Sequence, residues 1–130
     1  MTSNNATIAP AKPDAEILAA WDRITAARAA LAACPVHTGP GDYSPAEREQ
    51  WDIIDAAEAV IRTTAATSPA GVEIQIWVGL IHVMNDDGVE QAILRRDVDW
   101  FDERDGELDW FERLFVAGIR SLRSMQEQGQ

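Results

Sequence analysis

Cysteine is almost absent: Cys34 is the only one in 130 residues, so no intrachain disulfide can hold this chain together. Apolar runs are short, and none approaches the roughly 18 residues expected of a membrane-spanning helix. The opening Met1-Thr2-Ser3-Asn4-Asn5 has neither the basic region nor the apolar core of a secretory signal. These absences predict a soluble, cytoplasmic protein with no membrane partner. No phosphate-cradling glycine loop, dinucleotide fingerprint or zinc-ligand spacing is present, so no cofactor is expected. Positive charge is scarce as well. Eleven Lys and Arg face 22 Asp and Glu, a net charge of −11. Nucleic-acid binding normally needs a concentrated basic surface to displace counterions, so direct contact with nucleic acid is not expected. An acidic chain is instead suited to a protein partner with a basic surface.

What is present reads as helix. Residues 1–12 are small or polar and predict a flexible N-terminal arm, followed by a single helical domain over 13–125 and a frayed tail over 126–130. Asp14 to Ala33 is alanine-rich, with Ile17, Leu18, Trp21, Ile24 and Leu31 at three- and four-residue steps, and ends before Pro35. Ser44-Pro45-Ala46-Glu47 combines a serine N-cap, a proline at the first helical position and a capping-box glutamate. The helix that it starts carries Trp51, Ile54, Ala57, Ile61 and Ala65 on one row, and Glu49, Asp52, Asp55 and Glu58 towards solvent. Thr67-Ser68-Pro69 repeats the cap-plus-proline signal. Residues 72–80 fit both strand alternation and helical spacing; a lone strand would leave its backbone unpaired, which favours a buried helix, with an edge strand paired across a dimer as the alternative. A fourth helix is expected from Val89 to Trp100, capped by Asp86 or Asp87. A final one follows from Glu107 to about Ser124, with Leu108, Phe111, Leu114, Phe115, Gly118 or Ile119, Leu122 and Met125 on its inner side. The fold class predicted is an all-α bundle of four or five helices.

Residues 86–112 hold eleven acids against Arg95, Arg96 and Arg104, a local charge of −8. Within this window the phrase Asp99-Trp100-Phe101-Asp102-Glu103 is echoed by Asp109-Trp110-Phe111-Glu112. Aromatic rings ringed by charge suit a core edge or a contact surface. The candidate interaction surface is therefore Asp97, Asp99, Trp100, Phe101, Asp102, Glu103, Asp109, Trp110, Phe111 and Glu112, with a homodimer as a further expectation. Arg95, Arg96, Arg104 and Arg113 would balance local repulsion.

Signals for chemistry are sparser. His82, Asp86, Asp87 and Glu90 form the best metal candidate, since histidine and carboxylates four apart share a helical face and would suit Mg²⁺ or Mn²⁺. Asp52, Asp55 and Glu58, or Asp99 and Asp102, resemble the paired acids of all-helical nucleotide pyrophosphatases. That likeness makes a divalent-metal-dependent hydrolase of nucleotide type the alternative function. The basic groups such an enzyme needs near phosphate are missing, with only Arg62 close to the first set. Cys34 lies at a helix end and His37 in a Gly/Pro loop, a poor setting for an activated nucleophile.

The stretch Ile61-Arg62-Thr63-Thr64-Ala65-Ala66-Thr67-Ser68-Pro69-Ala70-Gly71-Val72 resembles small helical proteins of alphaproteobacterial and prophage-derived genes, over residues 14 to 84. The alanine-rich first half and the excess of arginine over lysine agree with a GC-rich genome. The resemblance implies a prophage-like accessory protein that binds host or phage machinery, an inhibitor of a basic nucleic-acid-handling partner among them, and brings no catalytic residue with it. At the level of the fold, Ser44→Ala should cost about 0.5–2 kcal/mol through loss of the cap. Urea unfolding checks this, and coincident midpoints would mean that the second helix begins elsewhere.

Overall fold

Ser44 starts a helix in the way its neighbours require: its Oγ accepts from the Glu47 amide at 3.1 Å, and the Ser44 amide donates to Glu47 Oε1 at 2.8 Å. This is the second element of a computed structural model that describes residues 12–84, 86 and 88–129. The order is α1 (Ala15–Ala32), α2 (Pro45–Thr63), α3 (Pro69–Val83), α4 (Val89–Leu94), α5 (Val98–Asp102), a 3-10 turn (Asp105–Glu107) and α6 (Trp110–Gln128). The described residues contain no strand, and the fold is all-α. The apolar stretch 72–80 lies wholly within α3. Nearly all of the arm expected over 1–12 lies outside the described residues. The tail expected to fray is helical as far as Gln128.

α1 packs along α2, and α3 along α6, while α4 packs on α3 and α5 on α6. Ile24, Ile61, Trp77, Ile93, Phe101 and Ile119 bring all six helices into one core and are each at most 1 % exposed. Full burial of side chains of this size contributes about 1.5–3 kcal/mol each. Trp77 and Phe101 meet at 5.7 Å between ring centroids, which ties α5 to the centre.

Two carboxylates fix how these helices sit. Glu73 of α3 is 4 % exposed. Its Oε2 accepts from Trp77 Nε1 at 2.9 Å and from Arg123 Nη2 at 3.0 Å, and its Oε1 accepts from Arg123 Nε at 3.1 Å. A buried carboxylate is tolerable only with such partners. Val116, Ile119 and Arg123 share a helical face, so the pair rotates α6 to bury Val116 and Ile119. The inner side expected for this helix is corrected accordingly: Leu114 and Met125 are exposed, and Phe115 is 37 % exposed.

Asp14 precedes α1 in the left-handed region (φ 60°). Its carboxylate accepts from the Thr67 amide (2.8 Å), the Thr67 hydroxyl (3.0 Å), the Ser68 amide (2.8 Å) and the Ser68 hydroxyl. Ser68 in turn caps α3 through the Gly71 amide at 3.3 Å. Gly71 makes room for this latch, because a Cβ there would run into the Asp14 carboxylate.

The single helix expected over 89–100 is two. Arg96 adopts φ 54° and separates α4 from α5, and its carbonyl accepts from Arg123 Nη2 at 2.8 Å. A non-glycine residue held in this region costs of order 1–3 kcal/mol, and the Arg123 bond helps to hold it. The cap expected for α4 is also different, since Gly88 (φ 81°) stands at the N-cap with no side-chain bond; Asp87 lies outside the described residues. The last α-helix starts at Trp110, three residues later than expected, with Asp109 and Glu112 forming its capping box.

Burial raises the Asp14 pKa, but the hydrogen bonds from Ser68 and Thr67 outweigh it and hold the value below the ordinary one. The latch therefore contributes fully above the unfolded carboxylate pKa and is lost as pH falls through the lowered folded value. Asp14→Asn should flatten the acid limb of the stability curve, measured by urea unfolding at stepped pH. Gly71→Ala, which displaces the carboxylate, should cost about 1–3 kcal/mol at neutral pH; equal midpoints would show that the latch adds no stability.

Candidate functional site

Arg28 occupies the next four-residue step after Ile24 on the apolar row of α1, and Glu58 stands between Ile54 and Ile61 on that of α2. Both charges are thereby carried inward. The Arg28 side chain is 10 % exposed, and Glu58 is buried. Arg28 Nη1 donates to Glu90 Oε1 of α4 at 3.0 Å, and its guanidinium lies over Trp51 at 5.5 Å from the ring centroid. Glu58 Oε1 accepts from His82 Nε2 of α3 at 2.8 Å. Between these two pairs, Arg28 Nη2 and Glu58 Oε2 stand 4.0 Å apart, beyond hydrogen-bond reach. Arg28 Nε and Glu58 Oε2 are both buried without a hydrogen-bond partner.

A cleft of about 600 Å³ opens beside this network, with Arg28, Trp51, His82, Asp86 and Glu90 in its lining and Met84, Val89 and Ile93 beneath. Its charged lining is mostly acidic, which opposes anions. A second recess of about 440 Å³, lined by Glu58, Gln75 and His82 among others, adjoins it through His82.

Three of the four metal candidates, His82, Asp86 and Glu90, line the same cleft. His82 Nε2 is engaged by Glu58 and Glu90 Oε1 by Arg28, so their polar atoms are already directed elsewhere. Among the described residues no group of three His, Cys, Asp or Glu side chains is arranged to hold a metal. Asp87 lies outside those residues. Asp52 and Asp55 remain exposed on α2, whereas Glu58, expected towards solvent beside them, is buried. Cys34 Sγ donates to the Ala30 carbonyl at 3.3 Å, and His37 Nε2 lies 3.2 and 3.1 Å from the Pro40 and Gly41 carbonyl oxygens, a loop staple.

The acidic-aromatic segment separates into parts. Phe101 is fully buried and is thus removed from the contact surface expected of it, because α5 needs that ring against Trp77. Trp100 is half-buried, with the Arg104 guanidinium 4.1 Å from its ring centroid. Asp97 caps α5 through the Trp100 amide at 3.2 Å and lies 3.6 Å from Arg95. Asp102 pairs with Arg120, and Glu103 lies 3.7 Å from Arg104. Asp99 is exposed and has no ion pair among the described residues. The second copy of the phrase faces outward. Trp110 is 73 % exposed, and Phe111 packs edge-on between it and Phe115, with centroid separations of 6.2 and 6.0 Å. Asp109 and Glu112, besides capping α6, flank this ring cluster. Leu114 and Met125 continue it as a stripe along α6, with Ala117, Gly118 and the hydroxyl-bearing Ser121 between them.

No protein-family model matches this chain, and no curated protein or solved structure was found to be similar to it. No helix among the described residues is long and apolar enough to cross a membrane.

Arg28 and Glu73 were not singled out from the sequence, and Glu58 was expected among the solvent-facing paired acids of α2 rather than in the interior. Their signal was a charge standing at a core step of a helical row, or alone in an apolar run. Truncating one partner of a buried pair leaves the other charge uncompensated. Arg28→Met should accordingly cost about 3–5 kcal/mol in urea unfolding. His82→Ala, with a side chain 58 % exposed, should cost much less. Equal effects would mean that Arg28 does not neutralise Glu58.

Proposed function

We propose that this chain acts by binding another protein, one with a basic surface, through the outward stripe of α6 and the acids around its start. The observation that carries this reading is the exposure of Trp110, Leu114 and Met125 on a helix whose inner face is already filled by Val116 and Ile119. Large contiguous apolar surface fringed by charge is how protein contact sites differ from ordinary surface. The charge of the fringe selects the partner: Glu107, Asp109 and Glu112 have no ion pair among the described residues, while Asp105 lies 3.7 Å from Arg113. Such a field speeds encounter with a basic surface, while the aromatic ring in the contact governs release. The role is that of an accessory or regulatory protein, in keeping with the prophage-like resemblance, and a basic nucleic-acid-handling protein held inactive by the acidic face is the form that fits the charge best. A second copy of the chain is the competing occupant of the stripe.

Capture from lysate of the native cell, with sedimentation of the purified chain alongside, tests the reading. The wild type should retain a basic protein that elutes with salt. Trp110→Ala should lose it at little cost in stability, because substitutions at exposed sites usually shift stability by about 0.5 kcal/mol or less. Asp109→Asn, which preserves the cap, should slow association and weaken its dependence on salt. Equal retention by the wild type and Trp110→Ala would overturn the proposal, and a wild-type dimer dissociated by Trp110→Ala would assign the stripe to self-association.

A further inference from the structure

We infer that the recess where the corner between α4 and α5 meets the end of α6 binds a small hydroxylated phosphate monoester, of the class of sugar and polyol phosphates. Arg95, Arg96 and Arg123, three of the chain's eleven basic residues, line one hollow of about 600 Å³, and the same three line a second of about 380 Å³. The site lies near the opposite end of α6 from Trp110 and does not depend on the reading given for that stripe. Arg96 holds a left-handed backbone (φ 54°), which residues with a side chain rarely adopt, at the turn that sets two consecutive arginines beside Arg123. Like charges gathered in one hollow repel each other and focus their field into it, and an anion seated between them relieves that repulsion.

The donors that each guanidinium has left decide the ligand. Arg123 gives Nε and Nη2 to Glu73, and Nη2 also to the Arg96 carbonyl, which fixes the plane of its fork and leaves Nη1 without a hydrogen bond among the described residues. Glu73 is buried with both its oxygens engaged, so it balances Arg123 without competing for the other two arginines. The Arg96 side chain has no hydrogen bond or ion pair among the described residues, and Arg95 has only the exposed Asp97 contact at 3.6 Å, a weak one. Guanidinium N–H groups match phosphate oxygens in geometry, and three of them suit a dianion better than a single carboxylate. Besides these arginines and Glu73, the larger hollow is lined by Gln126 and Glu127, so no aromatic or aliphatic side chain offers a nucleobase a wall. Gln126 and Glu127 are exposed and accept from hydroxyl groups, while the charge of Glu127 opposes a second phosphate.

Calorimetric titration of the full chain with glycerol 3-phosphate, beside glycerol, succinate and adenosine monophosphate, tests this, with ¹⁵N spectra following the Arg123 Nε–H signal. Glycerol 3-phosphate should bind saturably and move that signal, and glycerol should do neither. Succinate, a dianion without phosphate, should bind more weakly, and adenosine monophosphate no more tightly, since its base finds nothing to stack on. Arg96→Gly removes one guanidinium from the hollow, while glycine takes the left-handed backbone without strain. This variant should bind glycerol 3-phosphate about tenfold or more weakly, the loss expected for one hydrogen bond to a charged group, with a urea midpoint no lower than that of the wild type. Arg95→Gln, at an exposed side chain, should weaken binding in the same direction. Absence of saturable binding by glycerol 3-phosphate overturns the inference, as does undiminished binding by both variants. Tighter binding of succinate or of adenosine monophosphate overturns the choice of ligand.

Discussion

A buried carboxylate constrains this fold more than any single apolar contact. Glu73 lies in the most apolar helix of the chain, and it needs neutralisation there. The partners that supply it reach well beyond α3. Trp77 is turned so that its indole nitrogen points back one helical turn, Arg123 is drawn in from α6, and the same guanidinium holds the Arg96 carbonyl at the corner between α4 and α5. One charge thus orients a central ring, a long helix and a strained turn. The outward stripe of α6 is a by-product of that orientation, because a helix that commits Val116, Ile119 and Arg123 inward presents Trp110 and Leu114 elsewhere.

Local signals in the sequence translated directly into structure. Ser44 and Ser68 start helices because a cap needs only residues within one turn, and the all-α fold followed from row spacing and caps together. The capping box Asp109-x-x-Glu112 belongs to the same category, yet its residues were read as part of an acidic surface. What was not legible depends on pairs far apart in sequence. Arg28 with Glu90 is separated by 62 residues and Arg123 with Glu73 by 50, and periodicity carries no information about such partners. The inner face of α6 and the break at Arg96 were misread for that one reason: both involve Arg123, whose partner Glu73 lies 50 residues away.

The doubled aromatic phrase shows how little a repeated string determines by itself. In the first copy Phe101 enters the core and Trp100 lies beneath Arg104; in the second Trp110 stands in solvent and Phe111 is half-buried. The copies fall on different helices, α5 and α6, with a 3-10 turn between them, so equal letters meet unequal surroundings. The copies then divide by the exposure of their rings: the second keeps its tryptophan in solvent, whereas the first buries its phenylalanine in the core.

The Asp14 latch bears on the order in which this chain assembles. α1 and α2 adjoin through one loop and make contacts early at small entropic cost, whereas joining Asp14 to Thr67 closes 53 residues of chain. Loop closure over that span is the larger entropic cost, so the Asp14 contact with the start of α3 is expected to form after the α1–α2 pair. Amide exchange should then be faster at Thr67 and Ser68 than along the buried rows of α1 and α2.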